Sequence, residues 1–190
     1  MSITQQDRPA LILIDIQRGF DDIAYWGGHR NNPDAEFIAS KLLGHWRRNQ
    51  FPIFHVQHCS TNPISPLAEG HIGNQFKEVV APHKGEPVIT KKVNSAFIGT
   101  DLKDRLEKAN IKKVVMAGLT TDHCVSTTTR MAGNYGLDTY VISDATATFD
   151  KIGADGQKYS AEIIHETALA SLHNEFATIV TAEELIHILG

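Results

Sequence analysis

The chain is predicted to be a three-layer α/β/α protein built on a six-stranded, mostly parallel sheet. Three observations predict it. Short apolar runs alternate with helical-period segments about six times along the chain. The runs are nearly continuous in apolar residues, as strands covered on both faces require. No internal repeat or low-complexity linker interrupts the 190 residues, so residues 1–190 read as one domain with a core of ordinary size.

The elements follow in order. Residues 1–9 read as a polar arm. Residues 10–16, ALILIDI, form the first strand, broken only by Asp15. A loop over 17–28 carries Phe20, Tyr25 and Trp26. Asn32-Pro33 supplies a cap and a first helical position, after which Phe37, Leu42, Leu43 and Trp46 recur at helical spacing to about Arg48. Residues 52–57, PIFHVQ, are the second strand, followed by a long loop rich in Gly, Pro and Ser. Long loops at a sheet edge often carry a substrate site. Residues 87–90 are the third strand and KKVNSAF the turn beyond it. Thr100 caps a helix to about Ala109, and residues 113–117 are the fourth strand, ended by Gly118. A helix from about Asp122 to Tyr135 follows, capped by Thr121 or Asp122 and closed by Gly136. Residues 138–143, DTYVIS, are the fifth strand. The helix over 160–172 points Ile163, Ile164, Ala168 and Leu172 inward, and residues 177–180 are the sixth strand. Thr181 and Glu184 make a capping box for the last helix.

Composition narrows the function. Net charge is -4, with no block of lysine and arginine to serve as a nucleic-acid face. No apolar run reaches membrane-spanning length, and MSITQQDRPA lacks the basic and apolar regions of a signal peptide. A cytoplasmic protein with Cys59 and Cys124 as free thiols is expected. A dinucleotide or flavin module is disfavoured: the first turn, IDIQRGF, has one glycine and an acid that would repel phosphate.

The chemistry lies at the strand ends. Cys124 falls in the first turn of a helix, where free N–H groups and the dipole should lower a thiol pKa and hold an oxyanion. Asp15 ends the first strand in apolar surroundings and needs a partner. Lys91 follows the third strand; alternation alone does not choose between it and Lys92. Each also has a plain reading: turn aspartate, surface lysine, core thiol. Their convergence on the carboxyl edge of one sheet, where α/β folds place their sites, points instead to a cysteine nucleophile attacking a carbonyl or nitrile carbon. His55 reads as a strand histidine satisfied by hydrogen bonds. His58, at the end of its strand on the same edge, is expected to touch a small-molecule substrate.

The ordered set ALILIDIQRGF, VITKKVNSAF, VVMAGLTTDHCV and VISDATATF resembles the isochorismatase-like cysteine hydrolases over nearly the whole chain. These include nicotinamidases, other small-amide hydrolases and isochorismatase. The resemblance implies a catalytic triad of Asp15, Lys91 and Cys124, the family's lysine standing four residues before the serine that is Ser95 here. It implies a cis peptide between Leu119 and Thr120, aiming the N–H groups of Thr120 and Cys124 at the oxyanion. Metal-bearing nicotinamidases carry an Asp-x-His pair after the second strand. Here Val56-Gln57-His58-Cys59 lacks the aspartate, so neither a metal nor another cofactor is expected. Phe20, Tyr25, Trp26, Phe97 and Phe149 are candidates for the pocket wall, with Ser60 and Asn94 as weaker polar candidates. His123 faces solvent or a second subunit. The intact Cys124 leans towards C–N hydrolysis through a thioester, rather than vinyl-ether cleavage with release of pyruvate. The family implies a homodimer or homotetramer.

Overall fold

The computed structural model describes residues 3–190. In chain order the elements are β1 (Ala10–Ile14), α1 (Ile23–Trp26), α2 (Ala35–Arg48), β2 (Ile53–His58), β3 (Val88–Lys91), α3 (Leu102–Lys108), β4 (Lys113–Leu119), α4 (Ser126–Asn134), β5 (Asp138–Ala147), β6 (Lys151–Ile152), β7 (Lys158–Tyr159), α5 (Ala161–Leu172), β8 (Thr178–Val180) and α6 (Ala182–Leu189). A π-helical turn, Thr121–Val125, leads into α4. The six-stranded sheet has the order β3-β2-β1-β4-β5-β8, and all its pairings are parallel. Strand order runs one way from β1 and the other way from β4. The crevice beyond their carboxyl ends is therefore the topological switch point, where ligands bind in such sheets. Asp15 lies just past β1, and Cys124 five residues past β4.

Alternation sorts the core. Ile12, Ile14, Val114 and Met116 face Leu102, Leu106, Ala132, Leu169 and Leu172 of α3, α4 and α5. Leu11, Leu13, Val115 and Ala117 face Leu42, Leu43, Trp46, Leu185 and Leu189 of α2 and α6. Gly118 has φ +130°, and a Cβ there would stand 2.0 Å from the Ile14 carbonyl oxygen. Only glycine lets β4 pass β1 so closely at this point.

Several local expectations are corrected. Phe37 is 56% exposed and Ile163 is 50% exposed; Leu42, Leu43 and Trp46 carry the α2 contact, and His165 and Leu169 share the buried side of α5. The α2 cap is Asp34 rather than Asn32. Asn32 has φ +42° and gives its Nδ2 to the carbonyls of Ser143 (3.0 Å) and Thr146 (2.8 Å). Those carbonyls need an outside donor because the β4–β5 register jumps between Met116 and Gly118. The jump carries β5 on to Ala147, beyond the expected end at Ser143, and β4 itself runs through Gly118 to Leu119. The β6–β7 hairpin was not anticipated. In the expected N-terminal arm, Ile3 is buried and Gln5–Asp7 form a 3₁₀ turn. Residues 1 and 2 lie outside the described residues.

A charged knot ties α2 to the start of β3. Arg47 donates to Glu86 Oε1 and Oε2, each at 2.8 Å, and the His83 N–H donates to Oε2 at 2.8 Å. His55 Nε2 meets the same oxygen at 2.8 Å, while its Nδ1 has no partner among the described residues. Burial pushes the Glu86 carboxyl up, but Arg47, the His83 N–H and His55 outweigh it and hold it down at about 2. A depressed carboxylate stabilises the fold above its ordinary value of 4.5, and that contribution is lost as pH falls towards 2. After discounting for screening at a partly exposed group, Glu86→Gln should cost about 2 kcal/mol at neutral pH. Urea titrations at pH 7 and pH 3 check this: the variant's deficit should shrink at the lower pH.

Candidate active site

Three distant residues meet at the switch point. Lys91 Nζ donates to Asp15 Oδ2 at 2.6 Å and stands 3.3 Å from Cys124 Sγ. The side chains of Lys91 and Asp15 are fully buried, and Cys124 is 9% exposed. Lys92 is exposed, so the strand end turns Lys91 inward. Asp15 has φ +53°, which turns the chain out of β1. Its Oδ1 has no hydrogen-bond partner among the described residues.

The thiol does not have the lowered pKa expected of a helix start. Burial pushes it well above its ordinary value, the Asp15 carboxylate adds to the rise, and Lys91 only partly opposes them. Burial and the neighbouring Asp15 thus both disfavour the thiolate form of Sγ. Neither Thr121 nor Asp122 caps the helix. Thr120 is the N-cap, without a side-chain bond, and its carbonyl takes the N–H groups of His123 and Val125, each at 3.2 Å. The Thr121 hydroxyl meets His165 Nδ1 at 2.9 Å, and Asp122 accepts a short hydrogen bond from the Thr148 hydroxyl. These contacts anchor the turn on both sides, and neither was visible in the sequence. The Leu119–Thr120 peptide is cis.

Other residues singled out in the sequence are placed as follows. His58 Nδ1 lies 3.2 Å from Lys91 Nζ. Asn94 is exposed, with Oδ1 3.8 Å from Cys124 Sγ. Phe149 stacks with Phe20 and Trp26, which meet each other at a tilt, and the three pack with Leu119, next to the turn that carries Cys124. Phe97 lies in a different cluster, with Cys124 and Val125, and meets Tyr135 edge-on. Tyr25 packs edge-on against Trp26, and Ser60 Oγ accepts the Asn62 N–H. Cys59 is buried, its sulfur 3.5 Å from Asn74 Nδ2. The His123 side chain is more than half exposed and meets Asp122 at 3.3 Å. A cavity of about 760 Å³ between α2 and α6 is lined by Ile38, Lys41 and Asp144 and by none of these groups.

Donor atoms of Asp15, His58 and Cys124 lie within 4.8 Å of one another, close enough to hold a cation. Lys91 Nζ already stands among them, at 2.6, 3.2 and 3.3 Å. A divalent ion would have to displace the ammonium, so these residues do not fit a resident metal.

The isochorismatase domain model matches residues 9–184. The chain is 48% identical over 182 residues to the isochorismatase family protein YrdC of Bacillus subtilis, which covers 96% of each chain. A crystal structure of an isochorismatase-family hydrolase from Chromobacterium violaceum superposes with a TM-score of 0.93 at 40% identity, covering 97% of this chain and 94% of that one. Nicotinamidase 3 of Arabidopsis thaliana is 28% identical, over 93% of this chain and 86% of its own. The chain belongs to the isochorismatase family of hydrolases. No helix among the described residues is long and apolar enough to cross a membrane.

Proposed function

We propose that this protein hydrolyses the C–N bond of a small amide through an acyl-enzyme on Cys124. One observation carries the reading: a single buried ammonium bonded to a carboxylate at 2.6 Å and facing a thiol at 3.3 Å. The thiol proton passes to Asp15 as Sγ attacks the amide carbon. The N–H groups of Thr120 and Cys124 take the developing oxyanion. Collapse breaks the C–N bond; the amine leaves with the proton from Asp15, and a thioester remains. Asp15 then takes a proton from water as that water attacks the thioester; collapse breaks the C–S bond, the proton passes from Asp15 to Sγ, and the carboxylic acid departs with the thiol restored. Lys91 balances the negative charge as it moves between carboxylate and sulfur.

Two relatives support amide chemistry: the nicotinamidase above, and a maleamate amidohydrolase of Pseudomonas putida, 28% identical over 131 residues. A secreted isochorismatase effector of Verticillium dahliae, 32% identical over 146 residues, favours the second reading, vinyl-ether hydrolysis. Ammonia release from a panel of primary amides, including nicotinamide and maleamate, separates the two. The amide reading expects ammonia and a transient acyl mass on the Cys124 peptide. Pyruvate from isochorismate, with no ammonia from any amide, would replace it.

A further inference from the structure

We propose that His58 is a positioning residue: its Nδ1 is the third acceptor that aims the Lys91 ammonium at the Cys124 sulfur. An ammonium has three N–H bonds and no acceptor of its own. Around Nζ stand three acceptor atoms: Asp15 Oδ2 at 2.6 Å, His58 Nδ1 at 3.2 Å and Cys124 Sγ at 3.3 Å. Without the imidazole, one N–H of a buried cation has no partner, and the head group is free to turn towards Asp15 and away from sulfur.

The His58 backbone is itself held from behind. Its backbone N–H donates to Gln17 Oε1 at 2.9 Å, and its carbonyl accepts from Gln17 Nε2 at 3.0 Å and from Asn74 Nδ2 at 2.8 Å. Gln17 and Asn74 are both buried, and the reaction scheme above uses neither. The next residue's N–H, that of Cys59, donates to the Lys91 carbonyl at 2.8 Å, which locks the β2 and β3 ends in register. Two buried amides thus fix one histidine opposite one lysine. Only a neutral ring can accept on Nδ1, so the ring proton sits on Nε2. Burial and the Lys91 ammonium hold the imidazole below its ordinary pKa, while Asp15 and the Val93 backbone pull the other way, and the net direction favours the neutral ring. Sequence analysis expects His58 to touch the substrate; the contact with Lys91 adds a role beside that one.

The test uses the free enzyme and the rate of iodoacetamide alkylation at Cys124, followed by peptide mass at pH 8.5. It needs no substrate, so it stands or falls separately from the amide reading on which the role of Lys91 rests. Asparagine can place Oδ1 where Nδ1 was, whereas glutamine places its oxygen near Nε2. His58→Asn should stay within about threefold of the parent. His58→Gln and His58→Leu should fall by about tenfold or more, the scale of losing one charge-assisted hydrogen bond. Circular dichroism establishes that each variant is folded; if the leucine variant is not, the asparagine and glutamine pair decides. Three variants alike, all at the parent rate or all equally slowed, would overturn the proposal.

Discussion

Cys124→Ala is expected to remove amide turnover, lowering kcat by about 10⁴- to 10⁶-fold, the span seen when a covalent nucleophile is deleted. The thermal midpoint should move by only a few degrees, because one small, nearly buried atom is lost. The two readouts together distinguish loss of chemistry from loss of fold. The raised thiol pKa adds a second expectation: alkylation of Cys124 in the parent protein should keep climbing above pH 9, with no plateau near neutrality. A plateau below pH 8 would mean that the resting enzyme holds a thiolate, and that Asp15 is not the group that takes its proton.

Breaking the buried ion pair should have the largest effect on stability. Lys91 and Asp15 have fully buried side chains and meet at 2.6 Å. Lys91→Met leaves a carboxylate in the interior with no counter-charge. The cost should be about 3–5 kcal/mol, a large share of a domain's total stability, and the midpoint should drop by about 10 °C. Asp15→Asn with Lys91→Met removes both charges and should recover most of that loss. Both the single and the double variant should be inactive, since neither can move the thiol proton and balance it. Calorimetry on the set, with ammonia release alongside, checks the prediction. A double variant no more stable than Lys91→Met would show that desolvation of the pair is not the controlling term.

The stretches most legible in the sequence were those governed by local rules. ALILI and KVVMA read as buried strands because strands covered on both faces are apolar throughout, and both are strands here. The Thr181–Glu184 capping box formed as expected, with the Glu184 N–H on the Thr181 hydroxyl at 3.3 Å. Misreadings came where a distant partner outbid a local preference. Asn32 looks like a cap but serves the carbonyls left open by the β4–β5 bulge. Ile163 has the right spacing and chemistry for a core residue, yet the buried stripe of α5 runs through His165. Helix-start reasoning about Cys124 had the right place and the wrong sign. The dipole is a fraction of a charge, whereas burial beside a full carboxylate acts on the whole thiolate.

Amino-acid order alone determined the parallel sheet and the three chemical groups stationed near the carboxyl ends of its strands, because apolar runs and motif spacing are properties of neighbouring residues. Which nitrogen, oxygen and sulfur atoms meet was decided only when the strands lay side by side. Lys91 faces in and Lys92 out, His58 reaches the ammonium, and two amides from other loops hold the His58 backbone. Such contacts join residues tens of positions apart, and their energies depend on exclusion of water, which no local stretch of chain can bring about by itself.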